Sequence, residues 1–239
     1  MVRFQQRVLV GLIFFTTILT SSIQAQTDDS RRRGFLLDRL SIKQLKTWLT
    51  INKLIHSEDL NGQLLHPTLK ALFDRLQNSY HTIYLEFDDS SEGCPYIAGM
   101  FDIERLDPEG ESHIAVIKLR LRIIERASVP PRSVVKTGFI PFVGLDKLER
   151  YTEVLGHEMA HAVDVLFDPA RAATLDDFSR NADIILEEQL RRRKGFSDPE
   201  AEREIQRRDD FLNELEKPAE SAEAEVWREL YVSKSKRRS

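Results

Sequence analysis

Residues 156–164 read GHEMAHAVD. On an α-helix, positions four apart stand on one face about one turn from each other. His157 and His161 can therefore present ring nitrogens to a single ion. Glu158 stands beside them, placed to take a proton from a bound water. With 6 His in 239 residues, chance supplies roughly 0.01 such matches. The rival is a pair of hydrogen-bonded helix histidines beside a solvated glutamate.

The flanking sequence supplies the helix the motif needs. In DKLERYTEVLGHEMAHAVDVLF (146–167), Leu148, Tyr151, Val154, Leu155, Met159 and Val163 recur at helical spacing behind Asp146, a good opening residue. Asp168-Pro169 ends the run, because proline disfavours helical geometry in its predecessor.

Upstream, SIKQLKTWLTINKLIH (41–56) places Ile42, Leu45, Trp48 and Leu49 at helical spacing behind Ser41, and a second helix is expected from Pro67 to Gln77. The period then changes. HTIYLEFDD (81–89) reads as a strand, and IAGMFDIERL and HIAVIKLRLRII form a hairpin joined by DPEGES. In the second arm Ile117, Leu119, Leu121 and Ile123 alternate with Lys118, Arg120 and Arg122, the signature of a half-buried antiparallel strand. Three prolines in SVPPRSVVKTGFIPFVG (128–144) make it a connector. Downstream of Pro169 the chain reads as polar helices. One ends at Gly195, one opens at Pro199, and a last segment opens near Pro218. The charges of 180–215 read as a solvated face.

The first 25 residues read as a signal peptide. MVRFQQR is basic, VLVGLIFFTTILT is too short for a stable span, and Ala25 offers a cleavage point. Cleavage removes Arg3 and Arg7 and takes the net charge from −4 to −6. Mixed charges at 31% of residues argue against nucleic-acid binding, which needs a basic face. Cys94 is the only cysteine, so no intramolecular disulfide forms, and it reads as a small thiol near a turn.

A catalytic zinc takes three protein ligands and leaves one position open. His56, His66, His81 and His113 all precede the motif, and no histidine follows His161. A third ligand from downstream is therefore a carboxylate. In the last helix Glu216, Glu220 and Glu223 fall in the same sector as Ala219, Val226, Trp227, Leu230 and Tyr231, whereas Glu225 and Glu229 fall opposite. Three acids on an apolar face call for a cation.

HEMAHAVD followed 55 residues after His161 by EKPAE (216–220) resembles the gluzincin pattern of zinc metallopeptidases, locally that of lethal-factor-like peptidases. The resemblance covers about residues 112–231 and is specific over the two short motifs. It implies an α+β, zincin-like fold, with a small mixed sheet over an active-site helix and a helical C-terminal part. It implies His157, His161 and Glu216 as Zn2+ ligands and Glu158 as general base. Glu220 would orient a ligand histidine, Asp164 would play a similar part, and Glu223 is an alternative ligand. Such peptidases commonly take their oxyanion donor from a downstream Tyr or His; here no His and only one Tyr, Tyr231, follows the motif, and no donor is assigned.

The expectation is one domain over 26–239, with N-terminal helices in 35–80, the sheet and active-site helix in 82–168, and C-terminal helices in 170–231. It would be an exported zinc peptidase acting on peptide or protein substrates, without nucleic acid and without a membrane span after signal cleavage. The strand 113–124, if it lies at the sheet edge, would pair with an extended substrate. The alternative is a non-catalytic zincin-like binding protein whose zinc is structural or absent.

Overall fold

The computed structural model describes residues 33–90, 98–107, 109–126, 144–181 and 199–238. The expected signal segment 1–25, Cys94, the connector 128–143 and the expected helix end at Gly195 lie outside the described residues.

Among them a four-stranded mixed sheet runs in the order β1-β2-β4-β3. Strands β1 (Gly34–Leu36), β2 (Thr82–Asp88) and β4 (Ile114–Arg120) are parallel, and β3 (Gly99–Arg105) returns antiparallel to β4. Alternation in the sequence sets the faces. Ile83 and Leu85 of β2, and Ala115, Ile117 and Leu119 of β4, are each 0% exposed, while Tyr84, Glu86 and Lys118 line the half-buried other face. On that second face Arg39 lies over the Tyr84 ring at 3.6 Å and bonds Glu86 at 2.8 Å, and it also pairs with Glu104 of the outermost strand.

Helix α1 (Ile42–Ile55) has Ser41 as N-cap in a reciprocal capping box with Gln44, and α2 (Pro67–Gln77) opens on its proline. Helix α3 (Leu121–Arg126) follows β4 directly, and α4 (Lys147–Leu166) carries the histidines behind an Asp146–Glu149 capping box. Asp168 caps α5 (Pro169–Arg180), and α6 (Pro199–Arg238) completes the described chain. Helix α4 lies beneath the sheet: Tyr151, Val154, Leu155, Met159 and Ala162 join Ile83, Leu85, Ile117 and Leu119 in one apolar core. Phe35, Trp48 and Phe73 close that core at one end, Phe35 and Phe73 stacked at 5.3 Å.

Five expectations are corrected. The second hairpin arm is not a strand through residue 124, because Leu121 and Ile124 are buried three apart and that spacing turns the chain into α3. Nor is that arm the sheet edge: β4 sits between β2 and β3, and β3 is the outer strand. The short β1, in a stretch read as leader and helix, adds a fourth strand by pairing Phe35 with Ile83. In α1 the buried stripe is Trp48, Ile51 and Ile55, leaving Ile42 76% exposed and Leu49 38% exposed. Finally, α6 is one helix of 40 residues with Pro218 inside it. The proline removes the N–H that would bond the Glu214 carbonyl. Packing of Leu215, Ala219, Val226 and Leu230, all 4% exposed or less, holds the helix together on both sides of that gap.

Helices α4 and α6 run antiparallel. Leu215 and Val165 share an apolar cluster at one end of the pair. At the other end Lys234 donates to the Glu149 carboxylate at 2.8 Å and to the Gly144 carbonyl at 2.9 Å. This register carries the middle of the acid-rich helix, from Glu216 to Val226, across the histidine face.

Candidate metal centre

His157 and His161 stand one turn apart on α4 with their Nε2 atoms 3.0 Å from each other. From α6, one Glu216 oxygen lies 3.5 Å from His157 Nε2 and the other lies 3.5 Å from His161 Nε2. Two nitrogens bound about 2.0–2.1 Å from one tetrahedral ion would sit roughly 3.3 Å apart. The triangle of donors thus has the size such an ion requires. Among the described residues it is the only group of His, Cys, Asp and Glu side chains with metal-ligand spacing.

Glu223, two turns after Glu216, sets the tautomer. A carboxylate only accepts, so at 3.1 Å it takes a hydrogen from His157 Nδ1 and leaves the Nε2 lone pair of the neutral ring facing Glu216 and His161. The acids also make the site seek positive charge. Burial works against a charged His157, but hydrogen bonds to Glu216 and Glu223 outweigh it and push the ring up to about 10. Hydrogen bonds from His157 and His161 hold the Glu216 carboxylate well below the usual range. A proton on His157 satisfies this demand, and so does a metal ion bound in its place.

Glu158 is 5% exposed, and burial pushes its carboxyl up to about 7 against the pull of His157 and His161. A carboxylate near neutrality is matched to passing a proton both ways at physiological pH. It lies under the start of β3: a Cβ built on Gly99 would come 2.3 Å from Glu158 Oε1.

No family model, no curated protein and no solved structure matches the chain. The centre therefore rests on its own geometry.

The structure brings together His157, Glu158, His161, Glu216 and Glu223 and leaves out the rest of the expected set. Glu220 is exposed on α6, and the next glutamate to face the histidines after Glu216 is Glu223, seven residues or about two helical turns on. Its orienting role passes to Glu223. Asp164 is bound by Arg171 of α5 rather than by a ligand histidine. Tyr231 is 48% exposed, stacks on Trp227 at 5.3 Å and packs against Gly144, beyond the opening end of α4. It is not at the histidines. Glu229, expected on the solvent face, instead accepts the Thr68 N–H at 2.9 Å and caps α2. Gly99 was not legible, because a glycine gains meaning only when its cross-chain neighbour is known.

Proposed function

We propose that the chain is an exported zinc-dependent peptidase of zincin-like architecture, with zinc held by His157, His161 and Glu216. The observation that carries the reading is the donor triangle, 3.0 and 3.5 Å on its edges, with the buried Glu158 beside it. Three donors among the described residues would leave a four-coordinate ion one open position, and the Glu216 side chain is itself half-exposed, at 51%. A structural site would be closed by a fourth ligand.

When bound, zinc supplies a Lewis acid that polarises the scissile carbonyl and acidifies the attacking water. The chain's own groups do the rest. Glu158 accepts the water proton and returns it to the leaving amine. Glu223 keeps the Nδ1 proton on His157, so Nε2 stays available as a donor. Outer strand β3, bonded among the described residues only to β4, offers its free edge to an extended peptide, and its first residue adjoins Glu158.

Metal analysis of the full chain, with a peptide-library cleavage assay, tests this. One zinc per chain and hydrolysis are expected, with Glu158→Gln keeping the metal and losing turnover. Zinc without turnover in the wild type favours a non-catalytic scaffold, and turnover retained by Glu158→Gln overturns the mechanism.

A further inference from the structure

We infer that Gly99 is a positioning residue for Glu158: its missing side chain is the space in which the carboxyl is held against the metal face. The inference rests on Glu158 being the general base.

Glycine inside a strand weakens it unless a bulge, a bend or a close approach requires one. Gly99 opens β3 in regular pairing with Leu119, and its backbone is not in the left-handed region. The close approach explains it. A Cβ at Gly99 would meet three atoms of one side chain, Glu158 Oε1 at 2.3 Å, Cγ at 2.7 Å and Cδ at 2.8 Å. These distances are far inside van der Waals contact, so something must move.

The strand is the less free partner. Gly99 is registered on Leu119, and the preceding residue Ala98 accepts the Arg120 N–H at 2.9 Å, so β3 is tied to the sheet on both sides of the contact. Helix α4 is fixed too, being packed under that sheet. What remains is the Glu158 side chain. Buried as it is, it can yield only by rotating its carboxyl out of place. The β3 backbone therefore acts as a roof that selects the rotamer of Glu158. Displacement of a catalytic group by about 1 Å costs on the order of 100-fold in rate.

The test uses the full chain and two readouts. In urea unfolding, Gly99→Ala lowers the midpoint in the wild-type background and has no such effect when Glu158 is alanine, because the Cβ then has room. In peptide hydrolysis, Gly99→Ala keeps one zinc, leaves KM within about threefold and lowers kcat by at least about 30-fold. Equal midpoint shifts in both backgrounds overturn the contact. A wild-type kcat in Gly99→Ala overturns the positioning role, as does a loss of zinc or of folding that the Glu158→Ala background fails to relieve. If the wild type cleaves no peptide at all, the peptidase reading fails. Midpoint coupling would then mark Gly99 as a packing partner only, and the positioning role would fall with it.

Discussion

Val226 of α6 packs on Gly156 of α4: a Cβ built on that glycine would lie 3.0 Å from one Val226 methyl and 3.3 Å from the other. Leu69 of α2 closes the third side at 3.5 Å. The residue immediately before His157 thus fixes how near the acid-bearing helix comes. Gly156 gives the two helices a close contact, and Glu216 and Glu223 reach the histidines on the same pair of helices.

Gly156→Val should therefore separate the helices. A branched side chain at a position already in contact costs on the order of 1–3 kcal/mol by overpacking. The same displacement should weaken zinc binding at least about tenfold, since three donors must be held together within a fraction of an ångström. Urea unfolding and competition with a zinc chelator read the two effects. Full stability and full metal affinity in this variant would show that Gly156 does not set the spacing of the two helices.

Glu229 reaches the first turn of α2, where His66 supplies no side-chain cap. Truncation to alanine should cost about 0.5–2 kcal/mol, as for other lost caps. Glu225 pairs with Arg228 on the surface of its own helix, and Glu225→Ala should lie within about 0.5 kcal/mol of wild type. Thermal unfolding of the two variants should rank them in that order.

His81 and His113 form a buried stacked pair, ring centroids 5.1 Å apart, between the starts of β2 and β4. His81 Nδ1 accepts the His113 N–H at 3.1 Å and His113 Nδ1 accepts the Asp107 N–H at 3.0 Å, so both rings are fixed as neutral Nε2–H tautomers. Asp107 and Asp176 oppose the effect, and Arg75 stands behind the Phe167 ring that touches His81. Burial nonetheless pushes His81 down to about 4, and the repulsion that protonating both stacked rings would bring adds to it. Unfolded histidine titrates near 6.5, so below that pH the unfolded chain binds the extra proton first. The stability is complete above about pH 6.5 and is lost as pH falls toward 4, roughly 2 kcal/mol of it by pH 5. His81→Asn, which keeps an acceptor for the His113 N–H, should flatten that slope. Identical pH profiles for the two proteins would contradict the prediction.

How much of this was legible depended on whether a signal is local. The motif helix with its Asp146 cap, the Ser41 cap of α1 and the β3–β4 hairpin as far as Arg120 follow from spacing and turn chemistry within one segment. Strand β1 has three residues, too few to show a period, and exists only because Ile83 and Tyr84 lie beside it. In the last helix a wheel drawn from Glu216 placed three acids inward, yet the structure turns Glu220 to solvent. A wheel averages over a face; it does not know where the partner's histidines stand. The same limit misplaced Glu229, whose partner is the start of a helix 161 residues earlier in the chain. The two histidines and Glu158 needed only the local i, i+4 geometry, whereas the roles of Glu216 and Glu223 needed the antiparallel register.

That register makes the glutamates separable by experiment. Glu216 faces both Nε2 atoms, so Glu216→Ala should remove a ligand and abolish stoichiometric zinc at micromolar free metal. Of the two histidines, Glu223 bonds His157 alone, at Nδ1. Glu223→Gln keeps an acceptor oxygen but loses the charge that favours the donating tautomer, and should weaken zinc about 10- to 100-fold without emptying the site. Exposed and clear of both histidines, Glu220 should tolerate Glu220→Gln with affinity unchanged. Chelator competition on the three variants gives the ranking directly. If Glu220→Gln loses zinc while Glu223→Gln keeps it, the inward position of the helix has been assigned to the wrong residue. The two helices would then meet about one turn out of the register set by Gly156 and Val226.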